Sequence, residues 1–240
     1  NKYSDDPNLT KFILSLPKDK QRLAMLSLID KDRKGDVNLL WSEMVSYVKD
    51  SVNKMDHIKD VIKIINKFVK DGEVEKKKHG EVMTPITLVR EMLDTLPIEV
   101  WSNPDLKWLD PANGAGTFPF VIIYKLMNGL SDWEPDEEKR YKHIVENMIY
   151  TCELQSRNVF LWLCGVDPKD EYTTNTYWGS FLDEGFDKHM KEVWGLESVD
   201  IVIGNPPYQD LPKSHITKTS GSVIWDKFVN KSINLIANSG

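Results

Sequence analysis

The stretch Leu106-Lys-Trp-Leu-Asp110-Pro-Ala-Asn-Gly-Ala-Gly-Thr-Phe118 decides the fold. An apolar run, Leu106–Leu109, ends on an acid. A proline and two glycines, Gly114 and Gly116, come next, and a helical pattern, Phe118–Leu126, begins at once. Strand, tight turn and helix in that order open a βαβ unit. The glycines let the chain turn sharply and bring backbone N–H groups close to a ligand. The stretch is not a dinucleotide fingerprint, because three glycines at the required spacing are absent, and no Gly-Lys-Ser/Thr follows to make a phosphate loop. An acid at the strand end suits a cationic or hydroxyl-bearing ligand better than a phosphate. Alone, a glycine pair after a strand fits a purely structural turn as well.

Working outward, further short apolar runs occur at Met148–Cys152, Thr174–Trp178 and Asp200–Ile203. Helical patterns separate them at Thr87–Leu96, Leu154–Leu163 and Ile224–Ile236. Strands alternating with helices predict an α/β fold with a mostly parallel sheet and helices on both faces. The segment Asn128–Asn147 is long for a connection, and Asp136–Tyr141 within it predicts an added helical turn. The start of the chain has another texture. Lys18–Ile29 reads as a helix led in by Pro17 and closed near Lys34-Gly35. Trp41, Met44, Val45, Val48, Val52 and Met55, then Ile58, Ile62, Ile65 and Val69, recur at helical steps, with Asp36 or Asn38 as N-cap. The charged run Asp71–His79 reads as a linker. The expected organisation is therefore a helical region over 1–75, a packing layer or spacer, and a second domain over 76–240.

At 240 residues, the chain has room for one large domain with an appendage. Apolar residues are 40% and charged residues 28%, which excludes a disordered or collagen-like chain. Its 31 basic and 37 acidic side chains leave a net charge of −6, so no global positive field holds a polyanion. A nucleic-acid partner requires basic surface that is local or supplied elsewhere. Cys152 and Cys164 make no disulfide framework and lack the paired spacing of a zinc site, and the five histidines are scattered, so no metal is expected. A reduced, cytoplasmic compartment is the plain reading, with no membrane-spanning run and no signal peptide before Asn1–Asn8. The start at Asn and the end on Asn-Ser-Gly, just after a helical pattern, are expected of a piece of a longer chain.

A second motif, Asn205-Pro-Pro-Tyr208, follows Asp200-Ile-Val-Ile-Gly204. Two consecutive prolines fix φ and remove two backbone donors, so the flanking groups are held rigidly past a strand end. Open parallel sheets place their ligands at that edge. Asn205 Oδ1 and the Pro206 carbonyl can accept hydrogen bonds from an exocyclic amine, while Tyr208 stacks on its ring. An Asn-Pro turn closing a strand is the bland alternative.

Together, Asp110–Phe118 and Asn205–Tyr208 resemble motifs I and IV of the N6-adenine DNA methyltransferases that use S-adenosylmethionine. Gly80-Glu-Val-Met-Thr-Pro85 resembles the lead-in motif of their gamma class, and the order of the three motifs is the gamma-class order. The resemblance covers about 76–240. It implies a class I methyltransferase fold, Rossmann-like, with further strands and a target-recognition region after Gly240. It implies that Thr84 lies at the methionine end of the cofactor, that Pro85 starts the helix behind it, and that Asp110, Ala112, Gly114 and Gly116 surround the amino acid moiety. Glu153 is the acid implied to accept from both ribose hydroxyls. The family's usual Asp-Phe-Leu after the third strand is here Ser180-Phe181-Leu182, which leaves an uncharged acceptor at Ser180 for the cofactor's adenine and Phe181 to pack on its ring. Asp183 is the nearest acid that could take the missing place.

The activity implied is direct methyl transfer to the N6 of a flipped adenine, with Asn205, Pro206, Pro207 and Tyr208 around the base. DNA is the implied substrate. A restriction or specificity subunit, or a C-terminal target-recognition region, is the implied partner. Close alternatives share Asn-Pro-Pro-Tyr: an amino-group methyltransferase acting on RNA or on protein glutamine, and the methylating part of a restriction-modification protein. A noncatalytic cofactor-sensing or DNA-binding subunit is the alternative from another class. Pro135-Asp136 with Glu137-Glu138-Lys139 superficially resembles a nuclease motif, but its acids lack the usual separation. Lys213–Thr219 reads equally as a loop that touches DNA and as ordinary surface.

Overall fold

The computed structural model describes residues 54–71, 84–167, 171–207 and 223–237. The helices expected before residue 54, the linker over 72–79, Tyr208 and Lys213–Thr219 lie outside the described residues.

Four strands form one parallel sheet: β1 (Trp108–Asp110), β2 (Ile149–Glu153), β3 (Asn175–Trp178) and β4 (Ile201–Val202), in the order β3-β2-β1-β4. The register pairs Trp108 with both Ile149 and Ile201, and Glu153 with Trp178. Helices α1 (Lys54–Asp71) and α2 (Ile86–Leu93) precede β1. After it come α3 (Thr117–Gly129) and α4 (Glu137–His143), and then a π-helical turn (Ile144–Met148) leads into β2. The other helices are α5 (Ser156–Val166), α6 (Glu184–Glu192) and α7 (Trp225–Ala237).

Alternation along the strands divides the interior into two layers. Trp108 and Ile149 point into a core shared with α1, α2, α3 and α5, while Leu109, Tyr150 and Cys152 point into one shared with α6 and α7. Helix α3 buries residues all round, from Thr117 to Met127. Its Pro119 falls in the first turn, where backbone N–H groups have no intrahelical partner, so the proline forfeits nothing. Chain order runs β1, β2, β3 toward one edge and then returns to the other side of β1 for β4. The C-terminal ends of β1 and β4 therefore bound the crevice where open sheets take ligands.

Helix α1 belongs to this core. Ile58, Val61 and Ile62 are buried in the layer that holds α3, each contributing about 1.5–3 kcal/mol. His57 Nε2 donates to the Gly165 carbonyl at 2.8 Å, and burial lowers the imidazole's pKa. Lys54 Nζ lies about 5 Å above the rings of Tyr141 and Tyr172, 3.3 Å from Glu138. The boundary expected near residue 75 falls outside the described residues, with α1 on its N-terminal side packed against the sheet unit. Asp136 accepts from the Glu138 and Lys139 N–H groups as the N-cap of α4, which is the helical turn expected there.

Candidate functional site

Asp110 closes β1 and is buried, 3% exposed. Its Oδ1 accepts from the Ala112 N–H at 3.0 Å, while Oδ2 has no hydrogen-bond partner among the described residues. Burial pushes this carboxyl up to about 8, the nearby Glu153 carboxylate adds to the rise, and the Ala112 N–H opposes it.

The glycine loop hangs on β2. The Asn113 N–H donates to the Cys152 carbonyl at 2.9 Å, and the Gly114 N–H to Glu153 Oε2 at 2.7 Å. Gly114 and Gly116 both have left-handed backbones, with φ of +56° and +96°. A Cβ on Gly116 would lie 2.7 Å from the rings of Phe120 and Trp162. At Gly114 a Cβ would meet nothing within 4 Å, so the loop is open at that point.

Glu153 is the last residue of β2, at the strand end where the ribose-binding acid is expected. Its Oε1 accepts from the Gln155 N–H at 2.7 Å, and its main-chain carbonyl accepts from the Gly179 N–H at 3.0 Å. That second bond ties the loop after β3 to the same edge. Ser180 there accepts from the Leu182 N–H through Oγ at 3.2 Å. Phe181 lies deeper: it is 1% exposed, 4.9 Å from Phe186 and stacked on Phe228 at 5.4 Å. The sheet edge thus gathers Asp110, Gly114, Glu153 and Ser180, while the Phe181 ring sits in the core between α6 and α7.

The second motif arrives at the end of β4. The Ile203 N–H donates to the Leu109 carbonyl at 3.0 Å, which keeps the two strand ends together beyond the ladder. Gly204 follows with its Cα against the Asp110 carboxyl: an added Cβ would collide with Oδ1 and lie 3.1 Å from Cγ. Asn205 Nδ2 then donates to Thr84 Oγ1 at 3.0 Å, across 121 residues of sequence. Thr84 is 7% exposed and precedes Pro85, the N-cap of α2. Pro206 is half-buried and Pro207 exposed. Thr84 and Pro85 at the end of the lead-in motif, the glycine loop and the Asn-Pro-Pro turn, which are remote in sequence, therefore share one crevice.

Sequence reasoning passes over Asn113 and Gly204 as site residues. Asn113 ties the loop to β2, and its Oδ1 is buried with no partner among the described residues. Both lie inside the quoted motifs, and the demand that each acid be closely approached by backbone is the signal that singles out Gly204. Among the described residues, no cluster of His, Cys, Asp and Glu is arranged to hold a metal ion.

Residues 54–232 match the family model described as N-6 DNA Methylase. The chain belongs to the N-6 DNA methylase family. That match starts at the first residue of α1 and takes in all four strands and most of α7. An uncharacterized adenine-specific methylase from Mycoplasma pneumoniae is 26% identical over 227 residues, covering 68% of this chain and 54% of the relative. This N-6 DNA methylase chain thus spans about half the length of the curated relative it matches. A structure described as the modification subunit of a type I restriction enzyme from Vibrio vulnificus superposes with a TM-score of 0.51 at 16% identity. It covers 77% of this chain and 37% of its own, and shares the fold. A structure described as a class I S-adenosylmethionine-dependent methyltransferase from Listeria monocytogenes has a TM-score of 0.49 at 14% identity, covering 74% of this chain and 50% of that one.

Proposed function

We propose that this chain transfers a methyl group from S-adenosylmethionine to the N6 amino group of an adenine flipped out of DNA. One observation carries the reading. In a chain of the N-6 DNA methylase family, the Asn205–Pro207 turn sits at the end of β4 beside the acid and glycine loop of β1, at the point where strand order reverses.

The crevice fits the cofactor. Asp110 Oδ2 is a buried acceptor with no partner among the described residues, suited to an amino acid's ammonium group. The space over Gly114 admits a ligand close to the backbone. Asp110, Ala112, Gly114, Gly116 and Thr84 would hold the methionine moiety, Glu153 the ribose hydroxyls, and Ser180 the adenine, with Phe181 supporting that end from the core. When bound, S-adenosylmethionine supplies a methyl group activated by its sulfonium.

The remaining work falls to the chain. An adenine amino group is a poor nucleophile, because its lone pair is delocalised into the ring. Asn205 Oδ1 and the Pro206 carbonyl accept from that amine and favour the pyramidal nitrogen on which positive charge develops. They therefore stabilise the transition state more than the ground state. The ring of Tyr208 stacks on the extruded base, and Pro207 fixes the turn between them. The buried positions of Cys152 and Cys164 accord with a reduced, cytoplasmic setting. Membership of a DNA-directed family favours adenine in DNA over RNA or protein glutamine. The assembly we propose is with restriction-modification partners.

The test is methyl transfer to DNA by Asn205→Ala and Tyr208→Ala, with cofactor binding followed in parallel. Loss of transfer with cofactor binding retained is expected. Wild-type rates in both variants would refute the assignment.

A further inference from the structure

We infer that Thr84 is a positioning residue for Asn205, fixing which end of its amide is offered to the substrate amine; this rests on the methyl-transfer reading above. The two ends of a carboxamide are nearly equal in size and opposite in hydrogen-bonding sense. Only the oxygen end helps a substrate amine, since the NH₂ end presents donors to a donor. A side chain free to rotate by half a turn would spend part of its time in the unproductive orientation.

The structure removes that freedom at three points. Asn205 Nδ2 donates to Thr84 Oγ1 at 3.0 Å, so the donor end is engaged and the oxygen is directed elsewhere. Thr84 is itself held: it is 7% exposed, and Pro85 behind it has φ −57° and N-caps α2, whose Ile86, Val89 and Leu93 are buried. The Asn205 backbone follows Gly204, which packs against Asp110, and Ile203, whose N–H is bonded to the Leu109 carbonyl. Both ends of the Thr84–Asn205 bond therefore stand on rigid elements, a requirement for a group that must meet its target within a fraction of an ångström. A hydroxyl that accepts one bond keeps its own hydrogen to donate. Contact with the methionine end of the cofactor and tethering of Asn205 are thus compatible, and one side chain joins the cofactor half of the crevice to the base half.

The test compares Thr84→Val, which lacks the hydroxyl, with Thr84→Ser, which keeps it, in the full chain. Two quantities are read: kcat and cofactor KM with DNA saturating, and the side-chain amide NMR signals of Asn205, identified by their disappearance in Asn205→Ala. Thr84→Val is expected to lower kcat at saturating cofactor about tenfold, the effect of removing one hydrogen bond at the upper end of the usual range. It should raise cofactor KM by no more than about threefold and move the Asn205 amide signals. Thr84→Ser should restore most of the rate and the wild-type signals. The inference is overturned if Thr84→Val changes cofactor KM alone, if the serine variant fails to rescue, or if the Asn205 signals stay in place when the hydroxyl is removed. Full activity of Asn205→Ala refutes the methyl-transfer reading instead. The amide signals then decide on their own whether Thr84 holds Asn205.

Discussion

Replacing Asp110 by Asn should make the protein more stable at neutral pH, and the gain should grow with pH. Asp110 is 3% exposed, and its carboxyl is pushed up to about 8 by burial, with Glu153 adding to the rise. In the unfolded chain the same carboxyl ionises near its ordinary value of 3.8. Below about pH 4 both states are protonated, and the residue costs nothing. Between there and about pH 8 the unfolded chain gives up a proton that the native state retains, so native stability falls as pH rises. The slope is about 1.4 kcal/mol per pH unit, which amounts to on the order of 4 kcal/mol by pH 7. Asparagine retains an oxygen for the Ala112 N–H and does not titrate. Urea unfolding of both proteins at pH 5, 6 and 7, followed by tryptophan fluorescence, isolates the effect, because every other titrating group is common to the pair. The stability difference in favour of the asparagine variant should widen steadily. A difference that stays constant over this range would refute the claim that the carboxyl is buried protonated. The same geometry predicts that a cationic ammonium bound beside Asp110 expels the proton. Calorimetric binding of S-adenosylmethionine in buffers of different ionisation enthalpy should register that release, and the asparagine variant should show less of it.

The two loop glycines should separate. Gly116→Ala forces a side chain at φ +96° onto the rings of Phe120 and Trp162, and should cost more than about 2 kcal/mol in urea unfolding. Gly114→Ala, at φ +56° with open space around it, should cost only about 1 kcal/mol and remain folded, yet bind S-adenosylmethionine more weakly by titration calorimetry. Lys54→Met removes the ammonium between the Tyr141 and Tyr172 rings and its pairing with Glu138. That should cost about 1 kcal/mol, read as a fall of roughly 2–4 °C in Tm; an unchanged Tm would show that α1 is not clasped there.

The parallel α/β fold is legible because its signals are local. The run ending at Asp110, the glycine pair and the start of α3 occupy adjacent positions, and Glu153 stands at the end of β2 as its strand pattern requires. Strand limits are less legible, since they depend on neighbours. β1 runs from Trp108 to Asp110, two residues inside the expected start, because Trp108 is the first residue with a partner in β2. β4 shortens to Ile201–Val202, as its ladder is to β1 alone. Helix α6 escapes the pattern because Glu184–Glu192 buries only Phe186 and Met190 in a charged segment. The Thr84–Asn205 bond is invisible in sequence for a different reason: it depends on how the residue ahead of α2 meets the turn after β4 in the folded chain, and no local periodicity records it. Phe181 shows the converse. Its position in the motif is plain, yet its immersion among Phe186 and Phe228 follows from the packing of α6 and α7.

The bonds that the Glu153 carboxylate accepts from the Gly114 and Gln155 N–H groups have a further consequence. A carboxylate oxygen carries two lone pairs, so a bond from the backbone does not by itself close it to an incoming hydroxyl, and the backbone keeps hold of the group meanwhile. The rotational freedom that a glutamate normally surrenders on meeting a ligand, up to about 1.5–2 kcal/mol, was surrendered when the chain folded. A diol reaching this edge meets an acceptor whose direction is already set, and what it gains on arrival is not diminished by freezing the residue that receives it.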